Sequence, residues 1–128
     1  MAHEYTLNAS AVLALIAGEP GADLVAELLD RAAISAVNLT EVLTVLRRNG
    51  VPAGASMDRF RLLKIPVRPW DEGMASASDV YAGLAGQGLS LGDRACITEA
   101  MVSKTQIVTA DRAWKRIADI AGRVVLIR

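Results

Sequence analysis

Four polar residues at distant positions in the chain are candidates for binding a metal ion: Asn8, Glu41, Asp93 and Asp111. Three of them carry a carboxylate, and like charges about 4 Å apart repel each other by several kcal/mol at an effective dielectric constant of roughly 20. If folding brings them together, Mg²⁺ or Mn²⁺ is the expected counterion, because hard divalent ions prefer oxygen ligands. A cluster of this kind can serve the hydrolysis of a phosphodiester bond.

Asp93 and Asp111 are predicted to share one edge of a sheet. Ser90 followed by Asp93 is typical of a helix start, and this helix is expected to run to about Val102. The run 107–109 then predicts a short buried strand that ends just before Asp111. A helix that leads into a parallel strand begins at the carboxyl edge of the sheet, and the strand returns to that edge. Ligand sites in open α/β sheets form in the crevice beyond this edge.

Asp93 and Glu41 each have a structural interpretation as well. A lone aspartate in a first turn often only caps its helix, and a glutamate in a helix is often simply solvated. However, Asp93 heads an apolar stripe, and Val37 and Val45 flank Glu41 at a spacing of four residues. These apolar neighbours predict that both carboxylates are at least partly removed from water.

Thr109 and several basic residues are predicted to assist at the same edge. The hydroxyl group of Thr109 could orient a water molecule or a ligand, although a threonine at a strand end is equally well explained by its β-propensity. Four cations near Asp93 and Asp111 are candidates to contact the phosphates of a nucleic acid: Arg94, Arg112, Lys115 and Arg116. Each one alone is weak evidence, because basic residues are common on protein surfaces.

Composition predicts one globular domain over residues 1–128. Of the residues, 52% are hydrophobic, and 14 basic residues balance 14 acidic ones, so no overall basic charge predicts nucleic-acid binding. The single cysteine, Cys96, excludes an intrachain disulfide and a thiolate zinc cluster, is expected in the core, and favours a reducing cytoplasm. No segment is typical of a signal peptide or a membrane span. His3, the only histidine, is interpreted as a surface residue.

The chain alternates predicted strands with predicted helices, which indicates an α/β fold on a mainly parallel sheet of about five short strands. Four of the strands are predicted near residues 5–7, 33–35, 107–109 and 124–127. A further strand is expected at 65–67, and Pro66 predicts that it lies at an edge, since proline cannot donate a ladder hydrogen bond. Ser56 is predicted to cap a short helix, and Asp71 to begin a helix that continues to Leu84.

Four segments of the chain resemble PIN-domain ribonucleases, and most closely the VapC toxins of bacterial type II toxin–antitoxin modules. In sequence order they are Leu7-Asn8-Ala9-Ser10-Ala11, Asn38-Leu39-Thr40-Glu41-Val42, Leu89-Ser90-Leu91-Gly92-Asp93-Arg94-Ala95 and Thr109-Ala110-Asp111-Arg112-Ala113-Trp114. The resemblance implies a three-layer α/β/α PIN-like fold and a Mg²⁺- or Mn²⁺-dependent endoribonuclease that cuts structured RNA such as tRNA or rRNA. It also implies a homodimer that is inhibited by a cognate VapB antitoxin, with Glu41, Asp93 and Asp111 as metal-binding acids.

Position 8 departs from the family pattern, which has aspartate after the first strand where this chain has Asn8. Asparagine offers an oxygen of similar geometry but no negative charge, so metal binding should be weaker. We therefore expect a chain that folds like an active toxin but cleaves RNA poorly or not at all. A non-catalytic PIN-like module that binds antitoxin or RNA is the main alternative.

Two other α/β classes fit the sequence less well. A phosphoacceptor receiver domain requires a pair of acids after the first strand and an aspartate after the third, where this chain has Asn8-Ala9 and Arg68-Pro69. A dinucleotide-binding module requires a glycine-rich turn after the first strand, and Asn8-Ala9-Ser10-Ala11 contains no glycine.

Overall fold

The computed structural model describes residues 3–128. The strands are β1 (Tyr5–Leu7), β2 (Ala32–Ser35), β3 (Val67–Arg68), β4 (Gln106–Thr109) and β5 (Val124–Leu126). The α-helices are α1 (Ala9–Ala17), α2 (Ala22–Leu28), α3 (Ala36–Arg48), α4 (Ala55–Leu62), α5 (Glu72–Ala77) and α6 (Leu91–Ser103). Short 3₁₀ segments occupy Leu29–Arg31, Ser78–Gln87, Arg112–Arg116 and Ala121–Arg123.

The five strands form one sheet in the order β3-β2-β1-β4-β5, and every pairing among them is parallel. β1 lies at the centre, with Thr6 in register with Ala33 of β2 and Ile107 of β4. The residues that follow β1 and β4 therefore come out side by side at the carboxyl edge. This confirms the predicted α/β fold with a parallel sheet.

Helices cover both faces of the sheet, and neighbouring residues of one strand therefore pack into different halves of the core. Val108 packs with Leu7 and Ile34 in the half that includes α1 and α3. Ile107, the residue before it, packs with Ile97 of α6 in the other half, where the fully buried Trp114 also lies. Successive side chains of a strand point to opposite faces, so this division corresponds to a three-layer arrangement.

Local structure differs from the sequence prediction at three places. The edge strand begins at Val67 rather than at residue 65, although its position at the edge of the sheet is as expected. The N-cap of α4 is Gly54, with no side-chain cap bond, and the hydroxyl group of Ser56 is buried without a partner among residues 3–128. The helix that begins after Asp71 ends at Ala77 and continues only as a 3₁₀ segment. The edge strand begins late because Pro66 has no N–H group and contributes only its carbonyl oxygen, which accepts a bond from the Ile34 N–H at 3.0 Å.

His3 is not the free surface residue that was expected. It is partly buried, and its Nε2 atom has no hydrogen-bond partner within residues 3–128. Burial and the charge of Arg68 lower the pKa of His3, while Glu99 acts in the opposite direction. This environment comes from the packing of distant segments and has no signal in the sequence around position 3.

Across residues 3–128, none of the helices combines the length and the apolar character needed to cross a bilayer.

Candidate metal centre

Asn8 lies at the end of the central strand and caps the helix that follows. Its extended backbone (φ −72°, ψ 155°) is typical of an N-cap, and its side-chain oxygen accepts a bond from the Ser10 amide at 3.3 Å. The hydroxyl group of Ser10 donates to the same oxygen at 2.8 Å, and that of Thr109 approaches it at 3.3 Å. Asn8 is only 5% exposed. Its oxygen is therefore held in place by three donors from two elements.

Thr109 connects Asn8 to the segment that carries Asp111. The hydroxyl oxygen of Thr109 accepts a bond from the Asp111 backbone N–H at 3.1 Å, and the Ser10 hydroxyl accepts one from the Ala110 N–H at 3.0 Å. The Asp111 carboxylate is exposed and accepts a bond from the Ala113 N–H at 2.9 Å, which caps the 3₁₀ turn after β4. In the structure Thr109 thus contacts the side chain of Asn8 and orients the backbone of Asp111, while Ser10 binds the backbone of Ala110.

Asp93 forms a capping box with Ser90 at the start of α6. The Ser90 hydroxyl accepts from the Asp93 N–H at 3.1 Å, and the Asp93 carboxylate accepts from the Ser90 N–H at 3.0 Å. This arrangement satisfies two backbone donors that a helix start otherwise leaves free. The helix start predicted here is confirmed, and the partly buried Asp93 serves as a cap whatever else it does.

Glu41 projects from α3 towards the first turn of α6. Its Oε1 atom accepts a bond from the amide nitrogen of Asn38 at 2.7 Å, and the same nitrogen donates to the carbonyl oxygen of Gly92 at 2.9 Å. Burial raises the pKa of Glu41, the bond from Asn38 opposes this, and the charge of Asp93 raises the pKa further. Glu41 and Asp93 are therefore electrostatic neighbours across the two helices.

The pKa of the buried Cys96 thiol group is influenced both by Asn8 and by these two acids. Burial raises the pKa of Cys96, a hydrogen bond with the Asn8 side chain lowers it, and Asp93 and Glu41 raise it. Cys96 is 0% exposed, as expected for a core residue. Its thiol group is thus close to the Asn8 side chain and within electrostatic range of Glu41 and Asp93.

The carboxylates do not meet at a single point. Within residues 3–128, no group of three or more aspartate, glutamate, histidine or cysteine side chains is arranged to hold a metal ion. Each acid is engaged near its own helix: Glu41 with Asn38, Asp93 with Ser90 and Asp111 with Ala113. The oxygen donors fit Mg²⁺ or Mn²⁺ by their chemistry, while the central position holds a neutral amide where a fourth carboxylate would add charge.

The basic residues predicted to contact phosphate make no ion pair within the part of the chain that the structure describes. The ion pairs there involve Arg31, Arg61, Arg68 and Arg128. Arg94 donates through Nε to the Ser90 carbonyl oxygen at 3.3 Å, and Arg112, Lys115 and Arg116 are exposed on the 3₁₀ turn after Asp111. These cations are thus available to an anionic ligand at this edge.

Three residues with a part in this site were missed as site residues in the sequence. Ser10 binds Asn8 and the backbone of Ala110, and Asn38 binds Glu41 and Gly92. The motifs that carried the family resemblance contain all three residues, Ser10, Asn38 and Gly92, so position within a motif was the available signal. Asn8 and Glu41 are close in sequence to Ser10 and Asn38, but the contacts to Ala110 and Gly92 are distant in sequence, and only the folded chain shows them.

Similar solved structures share the fold over nearly the whole chain. A toxin–antitoxin complex from Klebsiella pneumoniae matches with a TM-score of 0.72 and 20% identity, covering 98% of both chains. VapBC2 from Rickettsia felis, bound to a DNA fragment from its promoter, matches with a TM-score of 0.70 and 16% identity over 95% of this chain and 97% of that one. DNA-bound VapBC from Salmonella typhimurium has a TM-score of 0.65 and 16% identity over 98% and 99%.

Comparison of sequences gives the family. A search of curated proteins finds no significant match. The sequence pattern of the PIN domain, however, matches residues 5–120, which include all four candidate metal ligands and the first four of the five strands. The chain therefore belongs to the PIN-domain family, whose members are generally nucleases.

Proposed function

We propose that this protein is the toxin component of a VapBC-type toxin–antitoxin module, built as a Mg²⁺- or Mn²⁺-dependent endoribonuclease and impaired by Asn8. The observations that support it most are two long-range contacts. Asn38 joins Glu41 to Gly92, the residue before Asp93, and Thr109 joins the side chain of Asn8 to the backbone of Asp111. PIN-family membership makes nuclease chemistry the first expectation for acidic residues at this edge of the sheet.

The residues that would hold the metal ion are Asn8, Glu41, Asp93 and Asp111. When bound, a divalent ion polarises the scissile phosphate and lowers the pKa of an attacking water molecule. The chain supplies the oxygen ligands, and Arg94, Arg112, Lys115 and Arg116 would bind neighbouring phosphates of an RNA such as tRNA or rRNA. Thr109 holds the side chain of Asn8 and the backbone of Asp111 in their relative positions.

Asn8 explains why activity should be low. Its oxygen already accepts bonds from Ser10 and approaches Thr109, and its amide nitrogen cannot serve as a ligand. With one carboxylate fewer, less negative charge offsets the cost of dehydrating the ion. The same observation supports the second candidate function, a non-catalytic PIN-like module that binds antitoxin or RNA without cleaving it.

A four-protein comparison tests the proposal: the chain as it stands, Asn8→Asp, Asn8→Asp with Glu41→Gln, and Asn8→Asp with Glu27→Gln. Glu27 is an exposed acid on α2 and serves as the matched control. Calorimetry with Mn²⁺ and cleavage of bulk tRNA and rRNA with and without EDTA are the measurements. We expect Asn8→Asp to gain Mn²⁺ affinity and EDTA-sensitive cleavage. Glu41→Gln should weaken this affinity measurably and abolish cleavage, whereas Glu27→Gln should change neither.

If Asn8→Asp binds RNA but neither binds Mn²⁺ nor cleaves, the nuclease proposal is wrong and the non-catalytic module remains. If the chain with Asn8 cleaves RNA as fast as Asn8→Asp, the proposed impairment is wrong while the nuclease assignment stands.

The proposed partners are a VapB-type antitoxin and a second copy of this chain, acting in the cytoplasm. The structural neighbours from Klebsiella pneumoniae and Rickettsia felis are a toxin–antitoxin complex and a VapBC assembly, respectively. A groove of about 490 Å³ runs between α3 and the start of α6, lined in part by Val37, Val45 and Leu91. The side chain of Leu91 is 68% exposed beside Val37 and Val45, and together these residues form an apolar surface that a second copy would cover.

Light scattering after size-exclusion chromatography tests the second copy. We expect a dimer that Leu91→Glu dissociates, because a charge at the centre of an apolar contact is costly to bury. Leu62→Glu is the matched control, since Leu62 is 81% exposed on α4, outside the residues that line the groove. A dimer that survives Leu91→Glu would show that this face is not the contact.

A further inference from the structure

Asn38 is a fully buried amide whose two N–H groups are both used between α3 and α6. Its side-chain nitrogen donates to Glu41 Oε1 at 2.7 Å and to the Gly92 carbonyl oxygen at 2.9 Å, and Asn38 is 0% exposed. The two acceptors determine the orientation of the amide, because only the nitrogen can donate. Asn38 therefore joins the carboxylate of Glu41 to the backbone of the residue before Asp93.

The amide is not needed merely to fill space. Its oxygen atom is buried and has no hydrogen-bond partner within residues 3–128. A buried polar atom without a partner destabilises the fold, and leucine has a similar volume without that cost. What asparagine adds at this position is the pair of N–H donors, and one of them is directed at Glu41.

Gly92 leaves the space that the Glu41 carboxyl group occupies. A Cβ atom at position 92 would overlap the carboxyl carbon and both carboxyl oxygens of Glu41. Gly92 lies inside the first turn of α6 and is not among the glycines with positive φ, so its backbone conformation does not require glycine. Its lack of a side chain is explained by the close approach of Glu41.

We propose that Asn38 and Gly92 are positioning residues, which together hold the Glu41 carboxylate against the first turn of α6 beside Asp93. The inference rests on the proposed function, since Glu41 is there a metal ligand. A glutamate side chain has three rotatable bonds, and Glu41 also lines the open groove between α3 and α6. Without the Asn38 donor and the space at Gly92, the carboxylate is free to turn into that groove, away from the other ligands.

A double-mutant cycle on the full chain tests this. Mn²⁺ affinity is measured by calorimetry for the parent, Asn38→Leu, Glu41→Gln and the double variant, both with Asn8 and with Asn8→Asp. We expect Asn38→Leu to weaken Mn²⁺ binding about tenfold or more, as is typical for loss of a residue that orients a ligand. In the presence of Glu41→Gln, Asn38→Leu should cause no further loss.

Gly92→Ala tests the positioning role of Gly92 independently of Asn38, and Gly86→Ala is its matched control. Gly86 has no positive φ and no atom within 4 Å of an added Cβ. We expect Gly92→Ala to weaken Mn²⁺ binding about tenfold, because the carboxylate must move, and Gly86→Ala to leave it unchanged. Thermal unfolding without metal, measured on the same proteins, separates a loss of stability from a loss of affinity.

Two results would overturn the proposal. One is a folded Asn38→Leu or Gly92→Ala variant that keeps the Mn²⁺ affinity of the parent. The other is that Asn38→Leu weakens Mn²⁺ binding equally in the presence of Glu41 and of Glu41→Gln, which would show that Asn38 does not act through Glu41. If Glu41→Gln itself leaves Mn²⁺ affinity unchanged in both backgrounds, the metal role of Glu41 in the proposed function fails, and this inference fails with it.

Discussion

The hydroxyl group of Thr109 lies 3.3 Å from the side-chain oxygen of Asn8, although the two residues are 101 positions apart in the chain. The contact exists because β1 and β4 are parallel neighbours, with Leu7 in register with Val108. Together with Ser10, Thr109 surrounds the Asn8 oxygen with donors. A negatively charged side chain at position 8 would be buried, and a bound cation would offset the cost of burying that charge.

Asn8→Asp should therefore make stability depend on metal. Position 8 is 5% exposed, so an ionised aspartate is expected to lower the metal-free free energy of unfolding by about 1–2 kcal/mol. Mn²⁺ at about 100 times its Kd should add about 2.7 kcal/mol. Urea unfolding with EDTA and with Mn²⁺ measures both effects.

Asn49→Asp is the control for that prediction, because Asn49 is exposed at the end of α3. Its stability should not respond to Mn²⁺ more than that of the parent. An Asn8→Asp variant that is as stable as the parent in EDTA and gains nothing from Mn²⁺ would contradict the prediction.

Ser90→Ala should destabilise the protein by about 1 kcal/mol, the typical cost of removing an N-cap. The variant loses the 3.1 Å bond from the Asp93 N–H to the serine hydroxyl and leaves half of the capping box. Urea unfolding measures the change. Ser76→Ala, at an exposed position inside α5, is the matched control and should be within about 0.5 kcal/mol of the parent. Equal effects of the two substitutions would show that the cap is not needed.

Cys96 should not react with thiol reagents in the folded protein. The side chain is 0% exposed, and burial raises the pKa of the thiol, so the reactive thiolate is scarce and inaccessible at neutral pH. A chromogenic disulfide reagent at pH 8 should detect no reactive thiol in the native chain. In urea it should detect one thiol per chain, since the sequence has one cysteine. Rapid labelling of the native chain would mean that this part of the core opens readily.

His3 should make the protein less stable as the pH falls. Burial and Arg68 lower the pKa of His3 below its ordinary value of 6.5, so the unfolded chain takes up the proton more readily than the folded one. The protein thus keeps its full stability above the pKa that His3 has in the unfolded chain. It loses stability as the pH falls from that value towards the lower pKa of His3 in the folded protein. Urea unfolding of the parent and of His3→Gln at several pH values measures this loss.

The comparison of the two proteins isolates His3, because it is the only histidine in the chain. The carboxylates, including Glu41 with its raised pKa, are present in both and cancel in the difference. A difference in stability that stays constant from neutral to mildly acidic pH would contradict the prediction.

Much of the fold could be predicted from local chemistry. The hydroxyl of Ser90 and the acid at Asp93 indicate a helix start because both satisfy backbone donors within four residues of each other. Pro66 predicts an edge strand because it lacks an N–H group, and β3 does lie at the edge. These inferences succeed because cause and effect lie within one turn or one strand.

The amino-acid sequence by itself determined the α/β class, the order of the elements and the identity of the polar residues at the carboxyl edge of the sheet. Only the tertiary structure decided that Asn38 and Gly92 enclose the Glu41 carboxylate, that the Thr109 hydroxyl group lies beside the Asn8 oxygen, and that His3 is partly buried. The reason is physical: hydrogen bonds within a turn depend on neighbouring residues, whereas the direction of a long side chain depends on whichever distant backbone packs against it.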